Sequence, residues 1–194
     1  MHRLIPIAAL TALALSACGT TTDDGSGPSA TESTTTTAPA TGTADTAATE
    51  AAPEDEPVQA PTVLRFEATS LDGEAVDGTT YAGTPVVFWF WAPWCPTCQG
   101  EGPAVAEAAD ALGDDAAIVG VAGLDRDADA MASFVDRTGT DAITHLDDRD
   151  GDLYRHFGVT TQSTYVVVSP DGTTVSESGP LSAEDIAALV DDAA

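Results

Sequence analysis

A run of apolar residues that stops on a pair of cysteines constrains this chain more than any other feature. From Thr84 to Trp91 the sequence is almost continuously apolar, Val-Val-Phe-Trp-Phe-Trp at its end, and Ala92-Pro93-Trp94-Cys95-Pro96-Thr97-Cys98 comes next. A run of that length, rich in β-branched and aromatic side chains, fits a strand covered on both faces. Beyond it, Val105, Ala108, Ala109 and Leu112 fall on one stripe, which predicts a helix from Pro96 to Leu112. Pro96 suits the first helical position, where no N–H is required. The cysteine pair therefore belongs at a strand-to-helix junction.

The same alternation continues. Val63–Ala68 reads as a strand, and Leu71–Gly83 carries the Asp-Gly punctuation of turns. Ala116–Ala122 reads as a second buried strand, and Ala128–Arg137 as a helix with Met131, Phe134 and Val135 inward. Ala142–Leu146 reads as a short strand leading to a helix around Asp150–Phe157. Thr164–Ser169 and Thr173–Glu177 form a hairpin across Ser169-Pro170-Asp171-Gly172. A last helix spans Ser182–Asp192, with Ser182 as N-cap and Asp185 three residues on. Strand and helix in alternation, closed by a hairpin and a helix, give an α/β class: a central mixed β-sheet with helices on both faces.

The N-terminal part is built differently. Met1-His2-Arg3 is a short positive start, Leu4–Leu15 an apolar run too short for a comfortable membrane span, and Leu15-Ser16-Ala17-Cys18 places small residues before a cysteine. This reads as a signal peptide over residues 1–17. A linker of Thr, Ala, Pro and acidic residues comes after it over 18–61, too poor in apolar residues to bury a core. Its stretch from Gly19 to Ala60 would reach roughly 35 Å as a flexible coil. The folded domain then occupies 62–194. The net charge is −26, with no lysine in the chain. That balance excludes nucleic acid as a charge-driven partner.

Three chemistries suit two cysteines separated by two residues: thiol-disulfide exchange, half of a metal site, or a structural staple. A staple closes so short a loop that it stabilises little. One Cys-x-x-Cys supplies only half of a tetrahedral zinc site, and the chain has no second such pair. Two thiolates can still hold Cu(I), so a copper-binding module stays open. Exchange chemistry fits the junction best. A thiolate is the attacking species, and the unpaired N–H groups and dipole of a helix start favour an anion at Cys95. Cys98 lies on the same helix face, placed to resolve a mixed disulfide. His145 and His156 are each isolated and read as structural or exposed. Asp147–Asp152 carries its glycine at the wrong offset for a calcium loop and reads as a helix cap under a solvated loop. No cofactor is expected.

The stretches "YAGTPVVFWFWAPWCPTCQGEGP", "GVAGLDRDADAMASFV" and "YRHFGVTTQSTYVVVSPDG" resemble the thioredoxin superfamily, and specifically its extracytoplasmic TlpA/DsbE-like branch. The resemblance covers most of Tyr81–Gly172. The serine-alanine-cysteine sequence at residues 16–18 is similar to a bacterial lipobox, which implies lipidation of Cys18 and a membrane tether. The resemblance implies a thioredoxin-like fold and a thiol-disulfide oxidoreductase acting on thiols and disulfides of exported proteins. It further implies Cys95 as nucleophile, Cys98 as resolver, and a monomer working with a separate redox partner. In that branch a carboxylate stands where Glu101 stands, implying a role in thiol tuning and proton relay; an exposed helix acid is the plainer alternative. Trp94, Pro96, Thr97, Gln162 and Ser163 would meet the substrate. A peroxide-reducing redoxin is a more distant possibility of the same resemblance.

Two positions depart from the pattern. Thioredoxin carries a buried aspartate six residues before its first cysteine; here that position is Trp89. The family's cis-proline is replaced by Ser163, within Gly158-Val159-Thr160-Thr161-Gln162-Ser163-Thr164. A cis bond before serine costs about 3 kcal/mol more than before proline, so a trans Gln162–Ser163 bond is expected, or a cis bond held under strain.

Overall fold

The computed structural model describes residues 59–194; the expected signal peptide, Cys18 and most of the linker lie outside the described residues. Seven strands and four helices succeed one another: β1 (Glu67–Thr69), β2 (Ala75–Asp77), β3 (Val86–Trp91), α1 (Pro96–Leu112), β4 (Ala117–Gly123), α2 (Ala128–Thr138), β5 (Thr144–Asp148), α3 (Asp152–His156), β6 (Thr164–Val168), β7 (Thr174–Ser178) and α4 (Ala183–Asp191). The main sheet has the order β5-β4-β3-β6-β7. β3, β4 and β5 are parallel, whereas β6 and β7 run antiparallel to their neighbours. The expected mixed sheet is present. The helices divide unevenly: α1, α2 and α4 pack on one face, and α3 covers the other with the N-terminal segment.

The centre of the sheet is β3, whose six residues are all fully buried. Alternation sends Val87, Trp89 and Trp91 toward α1, α2 and α4, and Val86, Phe88 and Phe90 toward α3. Burying side chains of this size contributes roughly 1.5–3 kcal/mol each, which makes β3 the anchor of both layers.

Several boundaries differ from expectation. Val63–Ala68 is not a strand. Leu64 N–H bonds to Pro61 O and Arg65 N–H to Thr62 O, closing a 3₁₀ turn at Thr62–Leu64 before the three-residue β1. β1 pairs with β2, a strand hidden inside the stretch read as turns, because β2 is only three residues long and mostly exposed. β5 lies two residues later than expected, since an Ile143 N–H to Thr140 O turn holds Ala142 and Ile143 outside the ladder. The acidic segment ahead of α3 is a cap, as expected. Asp148 is buried, and its carboxylate accepts the N–H groups of Leu153 and Tyr154 at 2.9 Å each. The capping box of α4 is formed by Ser182 and Asp185.

His145 shows how the layers are locked. It sits on β5 opposite Gly120 of β4. Its Nδ1 accepts the indole N–H of Trp91 at 3.2 Å, which places the ring proton on Nε2, donated to Thr140 O at 2.9 Å. Trp91 in turn stacks on Phe134 of α2, ring centroids 4.0 Å apart. A Cβ at Gly120 would overlap the His145 ring and crowd the Trp91 indole, so only glycine admits both. Burial pushes the His145 pKa below its ordinary value of 6.5, outweighing the Thr140 carbonyl and nearby aspartates.

This lock yields two expected outcomes. Gly120→Ala should cost ~2–3 kcal/mol in urea unfolding, through overpacking against two rings. For His145 the unfolded chain takes up the proton first as the pH falls. The stabilisation is therefore fully present above about 6.5 and is lost as the pH drops from there through the lowered folded value. Unfolding measured from pH 7.5 to 5 should lose stability at up to ~1.4 kcal/mol per pH unit in that window. His145→Gln should flatten that slope; an unchanged slope would remove His145 as its source.

Candidate active site

β3 ends at Trp91, and a turn closed by the Cys95 N–H to Ala92 O bond delivers Cys95 to the start of α1. Cys95 is the N-cap residue, with extended φ −78° and ψ 114°. Its Sγ accepts the Cys98 N–H at 3.2 Å, so an otherwise orphaned helix donor is spent on sulfur. Cys95 and Cys98 are joined as a disulfide with Cα atoms 5.4 Å apart. Cys98 is completely sealed and Cys95 only 4% exposed. α1 has no acidic residue in its first turn to compete for the positive end of its dipole.

The rim around the disulfide is open. Pro96 and Thr97 are exposed, and Trp94 is 52% exposed. The Trp94 indole N–H donates to Leu124 O at 3.1 Å. Leu124 is itself 46% exposed and holds a left-handed backbone at φ 58° in the loop between β4 and α2. Sequence reasoning passed over Leu124, and its only signal was an apolar residue directly after the glycine that ends β4.

Glu101 is buried, with 2% exposure, and the plainer expectation of an exposed helix acid fails. The helical turn that puts Cys98 inward also turns Glu101 inward, three residues along the same face. Its Oε1 accepts the Leu181 N–H at 2.9 Å. Gly179 packs so closely on the carboxylate that a Cβ there would overlap it. Oε2 is buried without a hydrogen-bond partner, and so is the hydroxyl of Tyr165. Burial first, then the adjacent Glu101 charge, push the Tyr165 pKa well above the ordinary phenol value. Pro103, inside α1, is exposed.

The Gln162–Ser163 bond is cis, so of the two forms expected for it the trans one is not adopted. Ser163 is buried, its Oγ accepts the Trp89 indole N–H at 2.9 Å, and its carbonyl accepts the Gly179 N–H at 3.1 Å. Gln162 is half-buried beside it. The two departures from the family pattern thus meet: the residue in the aspartate position donates to the residue in the proline position. Trp89 also lies stacked on Tyr165, its partner across β3 and β6. Tyr165 was not singled out as a site residue from the sequence. Its signal was parity, because residues 163 and 165 project to the same side of an extended chain.

Among the described residues no group of three or more metal-ligating side chains is gathered, and no helix is long and apolar enough to cross a membrane. The arrangement instead suits sulfur exchange: a cysteine at a helix start, a sealed partner, a buried carboxyl on the same helix face and an apolar rim.

Comparison with known proteins agrees. The AhpC/TSA family model matches residues 59–176. The chain is 38% identical over 120 residues to the soluble secreted antigen MPT53 of Mycobacterium tuberculosis, covering 62% of this chain and 68% of that one. Among solved structures, M. tuberculosis DsbF, in mixed oxidised and reduced forms, matches at 41% identity and a TM-score of 0.65, covering 69% of this chain and 98% of that one. A secreted M. tuberculosis disulfide oxidoreductase, described as homologous to E. coli DsbE, matches at 34% identity and a TM-score of 0.62, covering 67% and 97%. The chain belongs to the AhpC/TSA family, and within it to the thioredoxin-fold thiol-disulfide oxidoreductases that these secreted mycobacterial proteins represent.

Proposed function

We propose that this oxidoreductase exchanges disulfides with exported proteins while tethered to the membrane through a lipid on Cys18, with Cys95 as the attacked and attacking sulfur, Cys98 as resolver and Glu101 as proton relay. The observation that carries the assignment is the asymmetry at the start of α1. Cys95 caps the helix and receives the Cys98 N–H, while Cys98 is fully sealed.

In the oxidising direction a substrate thiolate attacks Cys95 Sγ. The Cys95–Cys98 bond breaks, its electron pair stays on Cys98, and Cys98 takes a proton from the Glu101 carboxyl. A second substrate thiolate then attacks the substrate sulfur of the mixed disulfide. Cys95 leaves as a thiolate, stabilised by the Cys98 N–H and the helix start. The substrate is oxidised by two electrons and the enzyme reduced by two. Every step reverses, and the potentials of substrate and enzyme set the direction. Trp94 and Leu124 offer the apolar surface a polypeptide would pack on, with Pro96, Thr97, Gln162 and Ser163 beside it; no cofactor is needed.

The tether rests on the leader: the positive start, the apolar Leu4–Leu15 and Ser16-Ala17-Cys18. The secreted relatives support an extracytoplasmic site of action.

In cells, Cys98→Ser should accumulate mixed disulfides between Cys95 and exported proteins, seen as non-reducing adducts that collapse with dithiothreitol. Cys95→Ser should trap none and should reduce insulin-disulfide turnover to background. Equal trapping by Cys95→Ser would reverse the assignment. Labelled palmitate should enter the wild type and not Cys18→Ser, which should appear in the medium; label retained in Cys18→Ser would remove the anchor.

A further inference from the structure

We propose that Tyr165 is a positioning residue for the proton relay, turning its O–H toward Glu101 Oε2 when that carboxyl is ionised and toward Ser163 Oγ when it is protonated. This deepens the role given to Glu101 above and rests on it.

The geometry is a buried chain of polar groups behind the disulfide. At one end the Leu181 N–H holds Glu101 Oε1 at 2.9 Å. At the other the Trp89 indole N–H holds Ser163 Oγ at 2.9 Å. Two further polar atoms of these side chains and of Tyr165 are buried without a hydrogen-bond partner, Glu101 Oε2 and the Tyr165 hydroxyl. Ser163 is bonded to the indole that stacks on Tyr165, and its carbonyl holds the Gly179 that lies against the Glu101 carboxylate, so the three side chains share one buried network. Burial together with the Glu101 charge pushes the phenol pKa up. An unpaired buried polar atom is costly, so two of them in one buried network call for a reason.

A relay carboxyl supplies one, because it must be accommodated in two states. Ionised, it only accepts, and the Tyr165 O–H is its donor. Protonated on Oε2, it donates to the Tyr165 oxygen, and the tyrosine must place its own O–H elsewhere. Ser163 Oγ is the acceptor at hand: the indole of Trp89 uses one lone pair, and another stays free. A proline at position 163 has no such atom. Trp89 and Ser163 therefore act together, the indole fixing the oxygen that accepts from Tyr165.

Among the described residues, the elements shown to touch Glu101 and its helix do so through uncharged groups. The loop before α4 contributes the Leu181 N–H and Gly179, and α2 meets the helix at Thr138 against Gly102. The inward side chains of α4 are Ile186 and Val190. Besides Tyr165, the titratable neighbour is Cys98 on the same helix. Among the described residues no ion pair reaches Glu101.

The test is oxidation of the reduced protein by oxidised glutathione, monitored by tryptophan fluorescence from pH 5 to 9. Cys95 thiolate attacks glutathione disulfide and releases one glutathione thiolate. In the second phase, independent of glutathione concentration, Cys98 gives its proton to Glu101, attacks Cys95 Sγ and expels the second. Glu101→Gln should abolish the pH-dependent limb of that phase. Tyr165→Phe takes a donor from the carboxylate and should move the limb to higher pH by about one unit. Ser163→Ala leaves the Tyr165 O–H without an acceptor in the protonated state and should move the limb to lower pH. Opposite signs are the signature, since loosened packing alone would slow both variants without displacing their limbs in opposite directions. If Glu101→Gln loses the limb while both other variants keep it in place, or shift it the same way, the role of Tyr165 is overturned and that of Glu101 stands. If Glu101→Gln keeps the limb, the relay reading falls and this proposal with it. Neither outcome touches the trapping result for Cys95.

Discussion

Two indole N–H groups on one face of the central strand have to find acceptors where water cannot reach. Trp89 and Trp91 are both fully buried on β3. Leaving either donor unpaired would cost on the order of 1–3 kcal/mol. Trp91 is answered from β5 by His145, and Trp89 from the loop before β6 by Ser163. These two bonds reach out from the central strand in opposite directions. One fixes the parallel half of the sheet and the small residue at Gly120. The other fixes the loop whose carbonyl holds Gly179, and Gly179 in turn lies against the Glu101 carboxylate. The site is positioned by the same strand that organises the core.

That arrangement places opposed electrostatic demands a few residues apart. The start of α1 favours negative charge on Cys95, through the Cys98 N–H and the helix dipole. One turn deeper, Glu101 is buried with a single N–H for company. A surface acid would be free to ionise without consequence. A buried one meets only the donors that the fold brings to it, which is the property a relay requires. Among the described residues, other acids serve as helix caps, as Asp127 and Asp185 do.

Much of this was legible in the sequence because it comes from periodicity. The continuous apolar run could only be a doubly covered strand, and α1 kept its predicted limits of Pro96 and Leu112 because its apolar stripe and Pro96 agree. The cap by Asp148 and the α4 capping box were visible for the same local reasons. What stayed hidden depends on contacts far apart in the chain. Nothing near Trp89 announces an acceptor 74 residues away, and the propensity of a peptide bond before serine says nothing of the contacts that hold it cis. Glu101 was ambiguous because helix parity could not say whether its face met solvent or the Gly179 segment. The β1-β2 hairpin was lost for a simpler reason: three-residue strands carry too few alternations to be read.

The two sulfurs are unequal, Cys95 presented at the helix start and Cys98 sealed behind it, and the proposed chemistry stands on that inequality. Brief alkylation of the reduced protein with iodoacetamide near neutral pH, mapped peptide by peptide, measures it directly. Cys95 should be modified first, with Cys98 protected until the protein is unfolded. Modification of Cys98 ahead of Cys95, or of both at one rate, would contradict the assignment.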